Sequence, residues 1–286
     1  MLIIGCGDVG RRVAHRYLAK GRTVTGIVRS GESAELLEQE GIRAMTMDLD
    51  LDPLPPMPTR DEQLFYFAPP PARGSEDFRV ERALEAFDRD GVPRRVVYVS
   101  TTGVYGDCGG AWVDETRQPQ PEADRARRRL DAERRFREWS RSSGTELVIL
   151  RVAGIYGPDR LPLARIREGL PLVRAEEAPF TNRIHEDDLA QVCEAAMERP
   201  VAGEIINVSD GHPGTMAEYF DTIADLAGLP HPPKIPLEGA EAHLSAGMYS
   251  YMRESRRLDN RKMLELLGVE LRYPSFEQGA PACFGP

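Results

Sequence analysis

The sequence predicts an α/β fold built on a doubly wound parallel sheet, and three observations predict it. In the first half, short β-rich runs alternate with helix-length segments that carry one apolar face, the rhythm of parallel strands joined by crossover helices. The first ten residues, Met1-Leu2-Ile3-Ile4-Gly5-Cys6-Gly7-Asp8-Val9-Gly10, run from an apolar strand straight into G-x-G-x-x-G. After Arg151 the rhythm changes to helices and loops, with prolines at 158, 162, 171 and 179 and again from 213 onward. The sheet is therefore expected to carry a small C-terminal lobe.

The elements follow in order. After the glycine turn, Val13, Ala14, Tyr17 and Leu18 recur at helical spacing, and Lys20-Gly21 closes the helix. Residues 23–28 are β-rich, 32–40 are helical with Gly41 as the stop, and 44–47 read as a third strand. Residues 64–68 are a fourth strand, ended by Pro69-Pro70-Pro71, and the proline-rich 53–58 segment before it reads as a surface loop. A helix over 76–89 shows Phe78, Ala83, Leu84 and Phe87 on one face and stops at Gly91. A fifth strand (95–100), a long helix (123–140) and a sixth strand (146–150) complete the alternation. Two later β-like segments, 181–185 and 204–208, predict that the chain returns once to the sheet. The expected division is a sheet domain of residues 1–155 with a return segment 183–212, and a lobe formed by 156–182 and 213–286.

Composition bounds the function. With 41% hydrophobic and 29% charged residues, the 286-residue chain is ordinary for a globular protein. Its net charge of −9 argues against general nucleic-acid binding and against anionic membrane surfaces. The basic run of Arg125, Arg127, Arg128, Arg129, Arg134, Arg135 and Arg137 is interspersed with Asp131, Glu133 and Glu138, and reads as a solvated helix face. No apolar run approaches ~18 residues, and the N-terminus lacks the charged and apolar regions of a signal peptide. Cys6, Cys108, Cys193 and Cys283 show no C-x-x-C pair, and the histidines show no metal spacing. A cytoplasmic protein with reduced thiols and no metal is expected.

Strand, glycine turn and helix in immediate succession give G-x-G-x-x-G its meaning: a Rossmann-type dinucleotide site. Gly5 permits the tight turn, Gly7 lets the backbone approach a pyrophosphate, and Gly10 lets the helix pack on the strand. Asp8, Val9 and Gly10 open the helix, whose free N–H groups and partial positive charge suit phosphate. Asp8 is unfavourable there unless its carboxylate turns away, and capping of the helix is one use for it. The competing reading is a glycine turn that packs a βα unit and binds nothing. Arg29 stands at the end of the second strand, about twenty residues past the turn, where an acid would grip the ribose of NAD. An arginine there suits the 2′-phosphate of NADP, with Ser30 adding a hydroxyl, so NADP is expected and NAD is the alternative. An ordinary exposed arginine is the bland alternative.

Several segments resemble one family, in its order. Val99-Ser100-Thr101-Thr102-Gly103-Val104-Tyr105-Gly106-Asp107 resembles the S-[ST]-x-x-V-Y-G-D segment of extended short-chain dehydrogenases/reductases. Arg151-Val152-Ala153-Gly154-Ile155-Tyr156-Gly157-Pro158 resembles their R-x-x-x-x-Y-G-P, Arg183 to Ala190 their I-H-V-D-D-[LV]-A, and Asn207-Val208-Ser209-Asp210-Gly211 their N-[VI]-x-x-G. The chain is thus similar to NAD(P)-dependent epimerases and dehydratases. The resemblance implies that Asp48 and Leu49 contact adenine, that Ala68 and Pro69 line the cofactor as a wall, that Ser100 lies at the cofactor, and that Thr101 hydrogen-bonds the reacting oxygen. Plain structural roles compete for Asp48 and Thr101.

The departures are as informative. The turn is G-C-G-D-V-G, not the family's usual G-x-x-G-x-x-G, and residues 106–155 contain neither the Tyr nor the Lys of the catalytic Y-x-x-x-K. Aligning Leu130-Asp131-Ala132-Glu133 with the family's L-x-A-E places Arg125 at the Tyr position and Arg129 at the Lys position. Arg129 retains donors for the nicotinamide ribose, whereas Arg125 stays protonated and cannot act as a base. The resemblance implies an atypical oxidoreductase or epimerase/dehydratase-like protein acting on a small sugar-like or carbonyl/hydroxyl substrate. The rival is a non-catalytic dinucleotide-binding sensor. The arginine-rich outer helix faces suggest a monomer or a weak homodimer.

Overall fold

The computed structural model describes residues 1–285. Seven parallel strands form the central sheet: β1 (Leu2–Ile4), β2 (Thr25–Val28), β3 (Arg43–Thr46), β4 (Gln63–Tyr66), β5 (Arg95–Thr101), β6 (Glu146–Val152) and β7 (Ile205–Val208). They lie in the order β7-β6-β5-β4-β1-β2-β3. The order reverses direction between β1 and β4, and that reversal opens a crevice beyond the carboxyl ends of the strands.

Side-chain alternation splits the core into two layers. Ile3, Phe65, Val97 and Val148 point to one face. There they meet α1 (Asp8–Ala19), which supplies Val13, Ala14 and Tyr17. Leu2, Leu64, Tyr66, Val96 and Tyr98 point to the other face. Against them pack α3 (Phe78–Asp90), with Val80, Ala83 and Phe87, and α4 (Asp124–Ser143), with Phe136 and Trp139. The short α2 (Gly31–Gln39) lies between β2 and β3 and buries Leu37. A fourth long helix, α5 (Glu186–Glu198), packs beside α1 on the first face, tied by Arg16 and Lys20 to Glu194.

Three expectations needed correction. The 181–185 segment is two strands, not one: Phe180–Thr181 pairs antiparallel with Gly214–Thr215, and Arg183–His185 pairs parallel with Gly154–Tyr156. Only 205–208 returns to the main sheet. The 53–58 segment is more than a surface loop, because Leu54 and Met57 are buried in the second core layer. Asp8 is not a cap: Gly7 occupies the N-cap of α1 with no side-chain bond, and the Asp8 carboxylate is drawn to two arginines instead.

The C-terminal residues add separate small cores around Phe220, Ile223 and Phe276, and around Val173 and Met252. They include α6 (Met216–Ala227), started by a full capping box between Thr215 and Glu218. This lobe faces the carboxyl ends of the sheet, and a strand pair, Trp112–Val113 with Arg257–Leu258, stitches the two parts together.

Candidate active site

Two cavities lie along the carboxyl edge of the sheet. The smaller, about 340 Å³, is lined by Gly5, Gly7, Arg29, Asp48, Leu49 and Arg79, with Ala68 and Pro69 as a wall. Its floor is the glycine turn. Gly5 has φ +80°, and a Cβ there would come within 2.4 Å of the Ala68 backbone nitrogen, so only glycine allows β1 to turn against the end of β4. At Gly7 a Cβ would meet nothing within 4 Å, which leaves an open approach over the helix N-terminus. At Gly10 a Cβ would sit 3.2 Å from Ile3 and 3.4 Å from the Cys6 sulfur, the close helix–strand contact the motif anticipates. The first-turn N–H groups have no acceptor within the helix and face that approach. Val9 packs its side chain against the core below.

Arg29 is exposed at the rim, whereas Ser30 caps α2 by accepting the Ser33 N–H at 3.3 Å. Asp48 accepts the Asp50 N–H at 3.0 Å. Arg79, which sequence reasoning missed, donates to the Pro69 carbonyl at 3.0 Å and pairs with Asp50 at 2.7 Å. It lies far from the glycine motif along the chain, on α3, where nothing local marks it.

A network of charges stands beside the helix N-terminus. Asp8 pairs with Arg12 at 3.3 Å and with Arg160 at 2.8 Å. Both arginines also meet buried Glu186, Arg160 at 3.2 Å. Burial disfavours charge on Asp8, but Arg160 and Arg12 hold its carboxyl below the ordinary range. Burial pushes Glu186 up to about 6 despite the same arginines. The acid in the phosphate turn is thus neutralised by side chains from the helix and from the lobe.

The larger cavity, about 670 Å³, lies between sheet and lobe and brings together Thr101, Arg125 and Arg129. Thr101 ends β5 and accepts the Gly103 N–H at 3.1 Å, which leaves its O–H free to donate. Arg125 and Arg129 are one turn apart on α4. Arg129 donates to the Ala68 carbonyl at 3.2 Å and to the Tyr98 hydroxyl at 3.3 Å, at the junction with the smaller cavity. Burial opposes its charge, yet Tyr98 and Asp77 keep its pKa above the ordinary value. Arg125 turns to the lobe instead. It donates to Ser250 at 3.0 Å and lies 4.0 Å from the ring centre of Tyr251, a lining residue that sequence reasoning missed.

Ser100 is the correction here. Its hydroxyl is buried and donates to Glu133 at 2.5 Å, so it faces the core, away from both cavities. Glu133 also receives Arg151 at 2.7 Å. The Arg151 guanidinium lies 4.8 Å from the Tyr105 ring centre, and Tyr105 donates to Asn207 at 2.7 Å. Residues from three resemblance motifs thus meet in one buried polar network that joins β5, β6, β7 and α4. His185 caps α5 by accepting the Asp187 N–H at 3.1 Å and packs between Tyr156 and Tyr273.

Residues 5–200 match the model of the NAD(P)H-binding family, and the chain belongs to that family. It is 27% identical over 286 residues to protein YeeZ of Escherichia coli strain K12, covering 95% of each chain. It is 24% identical to a 4-hydroxy-2-methyl-3-oxo-4-farnesyl-3,4-dihydroquinoline-1-oxide ketoreductase of Stigmatella aurantiaca, covering 93% of this chain and 86% of that one. Among solved structures, a functionally unknown conserved protein from Silicibacter pomeroyi superposes with a TM-score of 0.83 at 31% identity, over 99% of this chain and 96% of that one. The UDP-glucose 4-epimerase of Thermotoga maritima, solved with UDP-glucose, superposes with a TM-score of 0.76 at 21% identity, over 98% and 96% of the chains. The fold is that of the NAD-dependent epimerases and dehydratases, and the NAD(P)-binding Rossmann-type sheet is that of the sequence expectation. Among the described residues, no helix is long and apolar enough to cross a membrane and no group of side chains has the make-up of a metal site.

Proposed function

We propose that this protein is an NADP(H)-preferring reductase of a small carbonyl compound. The convergence of Thr101, Arg125 and Arg129 on one cavity beside the dinucleotide cavity carries the reading. NAD(P)H, when bound, supplies a hydride to a carbonyl carbon. The fit of the smaller cavity rests on the open Gly7 approach, the helix N-terminus, the Ala68–Pro69 wall and the exposed Arg29 guanidinium. Arg129 would hold the nicotinamide ribose from the junction.

The proton inventory favours reduction. Taking a hydrogen from a hydroxyl requires a base, and neither Arg125 nor Arg129 can serve, since guanidinium stays protonated. Reduction places negative charge on the substrate oxygen, and fixed cations and a hydroxyl donor stabilise that charge. Thr101 would donate to the oxygen, Arg125 and Arg129 would supply positive charge from the wall of the same cavity, and water would deliver the proton. The ketoreductase relative is consistent with this direction. Nucleotide-sugar epimerase activity is expected to be absent or very weak.

The competing reading is a dinucleotide sensor without turnover. It is favoured by Arg125, which is already engaged with Ser250 and Tyr251. Titration with NADPH and NADH, followed by single-turnover oxidation of bound NADPH over a panel of small ketones and aldehydes, separates the two. The expected result is tighter NADPH binding that Arg29→Ala reduces by about tenfold or more, with carbonyl-dependent oxidation that Thr101→Val slows. Equal affinities for the two cofactors defeat the NADP assignment, and oxidation by no carbonyl in the panel favours the sensor.

A further inference from the structure

The larger cleft is cationic although the protein is acidic. Against a net charge of −9 for the chain, the cleft is lined by Arg125, Arg129, Arg160, Arg183 and Arg256, with Glu254 as the carboxylate among them. Most of these arginines are already engaged. Arg256 pairs with Glu254 at 3.1 Å, Arg125 lies 4.0 Å from the same carboxylate, and Arg160 pairs with Asp8 at 2.8 Å. Arg129 is turned toward the cofactor side by the Ala68 carbonyl.

Arg183 differs. Among the described residues it forms no salt bridge: Nη1 donates to the Asn182 carbonyl at 3.0 Å, and Nη2 meets the Met216 sulfur at 3.6 Å. Its guanidinium carbon lies 4.1 Å from the ring centre of Tyr219. The position is built. Arg183 begins the short strand paired with Gly154–Tyr156, and a Cβ on Gly154 would come within 2.8 Å of Nη1, so glycine leaves room for the guanidinium. Burial pushes the Arg183 pKa down, a cost that a bound anion would offset. Asp210 is near enough to feel this charge, but burial pushes its own carboxyl up to about 7. Each terminal nitrogen carries a second N–H beyond these contacts, so the guanidinium keeps donors for a carboxylate or phosphate.

We infer that Arg183 docks an anionic group of the substrate, a carboxylate or a phosphate, so that the cleft takes acidic carbonyl compounds. The inference rests on the reading of this cleft as the substrate site. Its test is calorimetry on protein saturated with NADPH, with succinate and methyl phosphate as probes, in the wild type, Arg183→Gln and Arg183→Lys. The wild type is expected to bind at least one probe, and the stronger of the two tells carboxylate from phosphate. Arg183→Gln should weaken that binding by about tenfold or more, and Arg183→Lys by less, at unchanged NADPH affinity. Should the glutamine variant fail to fold, the lysine variant decides: several-fold weaker probe binding supports the assignment and unchanged binding overturns it. Binding of neither probe to the wild type, or equal binding by Arg183→Gln, also overturns it. Probe binding that depends on Arg183 in a protein that oxidises no carbonyl would leave the anion site standing and remove the reductase reading. Carbonyl reduction without Arg183-dependent probe binding would do the reverse.

Discussion

The two cavities are built in opposite ways. The dinucleotide end is made of backbone: a glycine turn, a helix N-terminus and a wall of Ala68 and Pro69, supplied by segments that end neighbouring strands. The cleft end is made of long side chains, arginines above all, that arrive from α4, from the Arg183–His185 strand and from the lobe. Backbone geometry follows from local sequence, because a glycine at a positive φ acts where it stands. A guanidinium acts several ångströms from its own Cα, and its partners decide where.

The largest expected effect tests what holds the two ends in register. Glu133→Leu leaves Arg151 buried without its partner and Ser100 without an acceptor. A loss of about 3–5 kcal/mol is expected, visible as a large drop in the urea midpoint. A midpoint within experimental error of the wild type would show that the network is dispensable.

Next is a pair of glycines that look alike in sequence. Gly5→Ala drives a Cβ to 2.4 Å from the Ala68 backbone at a φ of +80°. It should cost about 2–4 kcal/mol and abolish cofactor binding. Gly7→Ala meets nothing within 4 Å. Its melting temperature should stay close to that of the wild type while NAD(P)H affinity falls, because the methyl group occupies the ligand's approach. Equal destabilisation by the two variants would break the distinction between a packing glycine and a binding glycine.

The smallest effect concerns Asp210, which is buried at the edge of the lobe with one carboxylate oxygen lacking a partner. Burial raises its folded pKa from 3.8 to about 7. The folded state then holds the proton more tightly than the unfolded chain. The stability linked to that proton is complete below pH 4 and is lost as pH rises from there toward 7. Asp210→Asn, which needs no ionisation, should therefore melt higher than the wild type at pH 5, by about 3–6 °C, with the gap closing below pH 4 and widening as pH rises toward 7. A gap that does not change with pH would show that Asp210 ionises without penalty.

Much of the fold was legible because its signals are periodic or local. The main-sheet strands and the helices of the first half announced themselves by β-rich runs or by a stripe such as Val13, Ala14 and Tyr17, and the glycine turn explained its own neighbours, whereas the short Trp112–Val113 strand gave no such sign. Ser100 at the cofactor and Asp8 as a helix cap were misread for the same reason in reverse. Their sequence neighbours point to the cofactor, but their hydrogen bonds go to Glu133 and Arg160, far away along the chain. Leu54 and Met57 were hidden by the prolines around them, which mark a loop but say nothing of what the loop covers. Arg79 and Tyr251 carry no local mark at all, since each gains its place at the site only when its helix docks.

By itself the sequence determined the parallel sheet, the dinucleotide turn with its three glycines, and the absence of Tyr and Lys between residues 106 and 155. These properties belong to single residues or to short-range repeats, and chain connectivity enforces them. Only the tertiary structure decided which arginines are spent and which are free. Arg12, Arg16, Arg151 and Arg160 find carboxylates across the fold, while Arg183, beside Tyr219, has none among the described residues. Whether a buried cation needs a ligand depends on every charge packed within a few ångströms of it. Those neighbours come from segments far apart in the sequence and meet only when the lobe closes over the sheet.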